Sequence, residues 1–192
     1  MFYFCALANV QKENARRLLG VDDLLIERVA AGDMEAFAAL YHETDRAVFA
    51  YALSILKNKH DAEEIMQETY LRIRAGAHLY EAQGKPMAWI FTIVRNLSFA
   101  KLRQRREGQV VSLEDWMEQA GAQEAPDCED RLVLQAALSK LDLGERQIVM
   151  LHAAGGFKHR EIAQFLGLSL STVLSKYRRS LAKLQKWLRE GE

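Results

Sequence analysis

The chain has 192 residues, in which 26 basic side chains offset 26 acidic ones for a formal net charge of zero. That length allows one large domain or two small ones. Its two cysteines, Cys5 and Cys128, lie far apart with no CxxC pair, which argues against a disulfide scaffold or thiolate metal site and fits a reducing cytoplasm. The zero balance conceals strong segregation. Acids dominate from Asp22 to Leu71, every charge from Arg95 to Arg106 is positive, every charge from Glu107 to Asp130 is negative, and the last third is basic again. Such a chain is expected to touch an anionic partner with two separated patches and to offer an acidic face to something else.

The opening MFYFCALANV is apolar but too short to cross a bilayer, and it lacks the basic start and cleavage site of a secretory signal. Residues 1–21 are therefore read as an extension. Beyond them, the only prolines are Pro86 and Pro126 and no long alternating run occurs, so an all-α fold is expected. Helical periodicity predicts helices over residues 22–31, 34–56, 61–77, 86–105, 128–139, 143–153, 159–166 and 170–189. Gly108, Gly121, Pro126 and a run of like charge mark residues 107–127 as an acidic linker. The expected architecture is two small helical domains, residues 22–106 and 128–192, each with its own core.

The helix from Asp61 directs Ala62, Ile65, Met66, Thr69 and Ile73 inward and leaves Glu64, Gln67, Glu68 and Leu71 as an outward stripe. A leucine exposed among acids suits a polar-rimmed protein interface; a merely solvated helix face is the other reading. After the short polar loop EAQGK, where Gly84 would let a ligand approach the backbone, Pro86 opens the next helix at a favoured position. There Ile90, Ile93, Val94 and Leu97 form the buried stripe. Trp89, Thr92, Asn96, Phe99 and Arg103 share another face, flanked by Arg95 and Lys101. Rings interleaved with cations and amides suit a single-stranded nucleic acid, and packing of Trp89 and Phe99 against neighbouring helices accounts for the same residues equally well.

The C-terminal stretch KHREIAQFLGLSLSTVLSKYRRSLAK is the most specific element. It reads as a helix, a turn that needs positive φ at Gly167, and a second helix with Ser169 as its N-cap. Val173, Tyr177, Leu181 and Leu184 make an inward stripe, opposite Thr172, Ser175, Lys176, Arg179 and Lys183. From Ser171 to Arg189 there are six basic residues and no acidic one. A helix-turn-helix with this surface lays its second helix in the major groove of DNA, whereas solvated helix faces usually mix signs.

No carboxylate cluster with neighbouring metal ligands, no Ser/His/Asp or Cys/His set and no phosphate-cradling GxxxxGK loop occurs. The expectation is a protein with no catalytic residues, no cofactor and no metal. Taken together, the motifs resemble a bacterial sigma factor of the sigma-70 family, in the extracytoplasmic-function (ECF) group. DAEEIMQETYLRI is similar to the region 2 helix that docks on core RNA polymerase. PMAWIFTIVRNLSFAKLRQRR is similar to the region 2 helix that engages the −10 element, with the W-x-x-x-I-x-R-N pattern at Trp89, Ile93, Arg95 and Asn96. LSKLDLGERQIVMLHAAGGFKHREIAQFLGLSLSTVLSKYRRSLAKL is similar to region 4, which reads the −35 element. The sequence departs from the family pattern at Ala100, Asp142 and Leu174.

The resemblance implies three sets of residues. Asp61, Glu63, Glu64, Gln67, Glu68 and Leu71 would bind core polymerase at the clamp helices of its β′ subunit, with further contact to the β subunit. Ala82, Gln83, Gly84, Lys85, Trp89, Arg95, Asn96, Phe99, Lys101 and Arg103 would hold the melted −10 strand, with a flipped base near residues 82–85. Ser169, Ser171, Thr172, Ser175, Lys176, Arg179 and Lys183 would meet the −35 duplex, with Arg160 and Arg178 near phosphates. It also implies a cytoplasmic protein, promoter DNA as partner and an anti-sigma factor as a further one. The competing reading is a helix-turn-helix regulator that binds duplex DNA without acting as a polymerase subunit. That reading explains the C-terminal half but leaves the Trp89–Arg106 patch and the acidic stripe without a purpose.

Overall fold

The computed structural model describes residues 21–108, 136 and 138–190, and among these every regular element is helical. The helices are α1 (Asp23–Ala30), α2 (Met34–Leu56), α3 (Lys59–Gly76), α4 (Pro86–Gly108), α5 (Leu143–Ala153), α6 (His159–Leu166) and α7 (Leu170–Glu190), with a 3₁₀ turn at Ala77–Leu79. The expected helix over 128–139 falls mostly outside the described residues, as do the extension and the linker.

Caps set these boundaries. Asp22 accepts the N–H of Leu25 at 2.9 Å to start α1. Asp33 accepts the N–H groups of Glu35 and Ala36 to start α2 and is paired at 2.6 Å with Arg28. Those backbone bonds, then Arg28, hold the Asp33 carboxyl below its usual range. The α2 helix ends at Lys57, whose φ of 58° is left-handed, and Asn58 caps α3 through the N–H of Asp61. Each cap satisfies a backbone donor that the helix itself cannot.

The first unit packs α1–α4 around Ile26, Leu40, Val48, Tyr51, Ile73, Ile90, Phe91 and Val94, all fully buried. Inside it the Thr44 and Tyr70 hydroxyls share a 2.7 Å hydrogen bond, so neither buried oxygen is orphaned. The second unit packs α5–α7 around Ile148, Leu151, Ile162 and Val173.

Each unit was expected to close on its own core, yet the structure adds a seam between them. Helix α5 lies against α2, Gln147 Nε2 donates to Tyr51 Oη at 3.5 Å, and Phe157 meets Phe91 edge-on at 5.4 Å between ring centroids. Arg146, only 5% exposed, is buried beside Lys57, and its Nε and Nη1 have no hydrogen-bond partner. Burial depresses the pKa of this guanidinium, while Asp142 opposes the shift; Lys57 is lowered by burial and then by Arg146. A desolvated cation without full pairing destabilises the packing that buries it.

Candidate nucleic-acid interface and docking face

The helix-turn-helix forms as the spacing predicts. Gly167 ends α6 with φ 66°, a conformation glycine adopts without steric cost. Ser169 Oγ accepts the N–H of Thr172 at 3.2 Å and lies within 2.9 Å of the Ser171 and Thr172 hydroxyls. Along α7, Ser171, Ser175, Arg178 and Arg179 are exposed and Thr172 is half-buried; Arg160 is exposed on α6. Leu174 is half-buried.

Lys176 and Lys183 are arranged differently from their neighbours. Lys183 Nζ sits 2.8 Å from both carboxylate oxygens of Glu145, and Lys176 Nζ is 3.5 Å from Asp142. Both lysines lie on the flank of α7 next to its inward stripe, where the acidic N-terminus of α5 reaches them. Asp142, one of the departures from the family pattern, caps α5: it accepts the Glu145 N–H at 2.7 Å while Glu145 accepts the Asp142 N–H at 3.1 Å. This reciprocal box satisfies two helix-end donors at once. Burial pushes the Asp142 carboxyl up, but the Glu145 backbone bond and Lys176 outweigh it and leave it lowered.

Behind the recognition face, His152, His159 and Tyr177 form a ring cluster with centroid separations of 4.5, 4.7 and 5.0 Å. His152 Nδ1 donates to the Phe157 carbonyl at 2.8 Å. His159 is held below the usual 6.5 by burial and then by His152. The folded state therefore binds fewer protons here than the unfolded chain, so this contribution is present above the unfolded pKa and is lost as pH falls. The expected outcome is a loss of stability as pH falls below about 6.5 that is abolished in His159→Phe. Urea titrations at stepped pH check it.

On α4, Arg95, Asn96, Phe99 and Arg103 line a shallow depression of about 300 Å³. The Arg95 guanidinium lies over the Phe99 ring at 5.3 Å, and Arg95 Nε is buried without a hydrogen-bond partner. Trp89 is half-buried, tilted against Tyr80 at 5.2 Å. Ala82, Gln83, Gly84 and Lys85 are all exposed; Gly84 has φ 67°. Lys101 is drawn away from this surface, with Nζ 2.7 and 2.8 Å from the two oxygens of Glu64.

That pairing changes the acidic stripe on α3. Asp61, expected on the docking face, is only 4% exposed and pairs with Arg105 at 2.7 Å. Glu64 is occupied by Lys101, whose hydrogen bond lowers its pKa. Glu63 lies 3.8 Å from Lys59, and Glu68 bonds Arg72 at 2.7 Å. Although paired, Glu63, Glu64 and Glu68 keep 44, 51 and 37% of their side-chain surface in solvent, and beside them Gln67 is exposed and Leu71 is 61% exposed.

Sequence reasoning missed Asp142, Glu145, Asp23 and Tyr80. The D-x-x-E spacing before an apolar run could have disclosed the first pair. The other two meet across the fold, with no local signal. Among the described residues no group of three or more His, Cys, Asp or Glu could hold a metal, and no helix is long and apolar enough to cross a membrane.

A cationic helix-turn-helix joined to a second helical unit with its own cationic and aromatic surface defines a two-unit nucleic-acid-binding protein. The comparisons specify it further. Models of Sigma-70 region 2 and of Sigma-70, region 4 match residues 40–107 and 131–184. An ECF RNA polymerase sigma factor, SigK of Mycobacterium ulcerans, is 30% identical, with 87% of this chain and 94% of the relative covered. SigL of Mycobacterium tuberculosis is 29% identical over 86% of this chain and 96% of its own. Among solved structures, CnrH in complex with the cytosolic domain of CnrY matches at TM-score 0.63 and 25% identity, over 89% of this chain and 99% of that one. RpoE with the anti-sigma factor NepR from Bartonella quintana matches at TM-score 0.64 and 26% identity, over 80% and 96%. The chain belongs to the ECF sigma factors of the sigma-70 family, which are DNA-binding initiation factors.

Proposed function

We propose that residues 22–106 bind core RNA polymerase and the melted −10 strand, and that residues 128–192 read the −35 duplex, with residues 107–127 as the tether. What supports this reading most is that each matched region presents its own cationic surface: the Arg95–Asn96–Phe99–Arg103 depression on α4 and the Ser171–Ser175–Arg178–Arg179 face on α7. Open aromatic and cationic surface suits unstacked bases, and short polar residues beside arginines suit a major groove. The Gln67–Glu68–Leu71 surface on α3 is the docking face for polymerase. Lys101 and Lys183 act chiefly through their carboxylate partners, and Asp61 supports α4 rather than meeting polymerase.

The −35 and −10 elements are separated by roughly 25 base pairs, about 85 Å at 3.4 Å per pair. A compact chain of this length is about 40 Å across. The seam joining α2 to α5 must therefore open for both elements to be held at once, and the incompletely paired guanidinium of Arg146 in that seam lowers the cost of opening. A protein partner of the anti-sigma kind, as in the solved RpoE complex, would act on the same chain.

Run-off transcription with core enzyme and genomic fragments tests the whole reading. Initiation that depends on the added chain supports it; duplex binding with no polymerase affinity would favour the regulator reading. Within it, Arg179→Ala is expected to weaken −35 duplex binding about tenfold, measured by fluorescence anisotropy, with melting temperature unchanged. Lys183→Ala is expected to reduce stability before it alters DNA affinity.

A further inference from the structure

The first turn of α1 holds a carboxylate that its own helix does not need. Asp22 already caps α1, which leaves Asp23, the next residue, half-buried and directed across the fold. Asp23 Oδ1 accepts the Tyr80 hydroxyl proton at 2.5 Å, and Asp23 Oδ2 accepts the Gly84 N–H at 2.7 Å. These two donors stand at the start and near the end of the exposed loop that leads into α4. One carboxylate thus fixes both ends of a loop about sixty positions away in sequence.

The rest of the loop has little else to hold it. Residues 81–85 are all exposed, and its one side-chain bond is a 3.2 Å contact from Gln83 to Glu81. Gly84 carries its positive φ with open space where a Cβ would stand, so no packing imposes that conformation. Burial, then the bond to Asp23, pushes the Tyr80 pKa to about 12, which keeps the phenol protonated and able to donate. The Tyr80 ring in turn lies on Trp89 in the first turn of α4. A continuous path therefore runs from α1 through Asp23 and Tyr80 to both the loop and the aromatic residue at the head of the α4 surface.

We infer that Asp23 is a positioning residue for −10 strand capture: through Tyr80 and Gly84 it holds the loop over residues 82–85 in the shape that accepts an extruded base. A base leaving the duplex loses stacking worth a few kcal/mol, and a preshaped loop avoids adding its own ordering to that loss. This inference rests on the proposal that residues 82–85 meet the melted strand.

The test uses holoenzyme assembled from core polymerase and the full chain, on a promoter that the wild-type holoenzyme opens. Permanganate reactivity of −10 thymines reports opening, and anisotropy on a −35 duplex reports the other contact. Asp23→Ala is expected to reduce the open-complex equilibrium about tenfold, the loss expected for one to two net hydrogen bonds, with −35 affinity unchanged. Asp23→Asn, whose amide can donate to the Tyr80 oxygen while its carbonyl accepts the Gly84 N–H, is expected to restore opening to within about twofold. Tyr80→Phe removes one arm and keeps the ring on Trp89; it should fall between them and add nothing in combination with Asp23→Ala.

Two results overturn the inference alone: wild-type opening in Asp23→Ala, or stronger opening in both Asp23→Ala and Asp23→Asn, which would make the carboxylate a mere repeller of DNA. Failure of the wild-type holoenzyme to open any promoter overturns the underlying reading, and this inference with it.

Discussion

Replacing Glu145 with alanine is expected to destabilise the α5–α7 unit by about 3 kcal/mol, the sum of a lost capping box and lost charge-assisted hydrogen bonds. The side chain is 2% exposed and does two things at once. It returns a hydrogen bond to the Asp142 N–H at the start of α5, and it receives Lys183 through both oxygens. Lys183 is itself about half exposed, so once released it regains water, and the figure is kept below that of a fully buried pair. Glu145→Gln retains the cap and loses the charge, so its cost is expected near 1 kcal/mol. Lys183→Ala should cost about 2 kcal/mol, because it strands a carboxylate where water does not reach. Urea unfolding followed by circular dichroism measures all three. A flat series would mean that the α5–α7 clasp contributes nothing, and would return Lys183 to the set of free DNA-facing cations.

Leu71→Asp is expected to weaken binding to core polymerase by about thirtyfold, or 2 kcal/mol, the size of an interface anchor lost to truncation and like-charge addition. Leu71 is the large apolar side chain on the outward face of α3, beside Gln67 and Glu68. Exposure on this scale has no folding benefit, so the same substitution should leave the melting temperature within a degree or so of wild type. Glu63→Gln provides the contrast: its 3.8 Å pair with Lys59 is solvent-exposed, and a change under twofold is expected. Titration of fluorescent full-length chain with core enzyme reads both. Unchanged affinity in Leu71→Asp would remove α3 as the docking face while leaving −35 duplex binding untouched.

The helices were legible because their causes are local. Apolar spacing and end signals such as Pro86, Gly167 and Ser169 lie within a turn or two of the boundary they set, and α2, α5 and α6 span the residues expected of them. Legibility declined at the charged side chains. Asp61, Glu64, Lys101 and Lys183 were all assigned to open surfaces, since a sequence shows charge without showing which opposite charge will stand across from it. Trp89 and Phe99 carried two readings, and both are part-buried against the core: Trp89 meets Tyr80, and Phe99 lies beneath Arg95 at the rim of the depression.

By itself, the sequence determined an all-helical chain with two cationic modules, a helix-turn-helix and an acidic face, because hydrophobic period, capping and charge segregation act over a few residues and survive without tertiary context. Only the tertiary structure decided which of those charges remain open to a partner. It paired Lys101 with Glu64, Arg105 with Asp61 and Lys183 with Glu145, left Arg146 incompletely paired in the seam, and brought Asp23 to the loop before α4. The physical reason is distance: a Coulomb or hydrogen-bond partner acts within a few ångströms in space, and helix packing alone determines which residues, 37 to 61 apart in these cases, come that close.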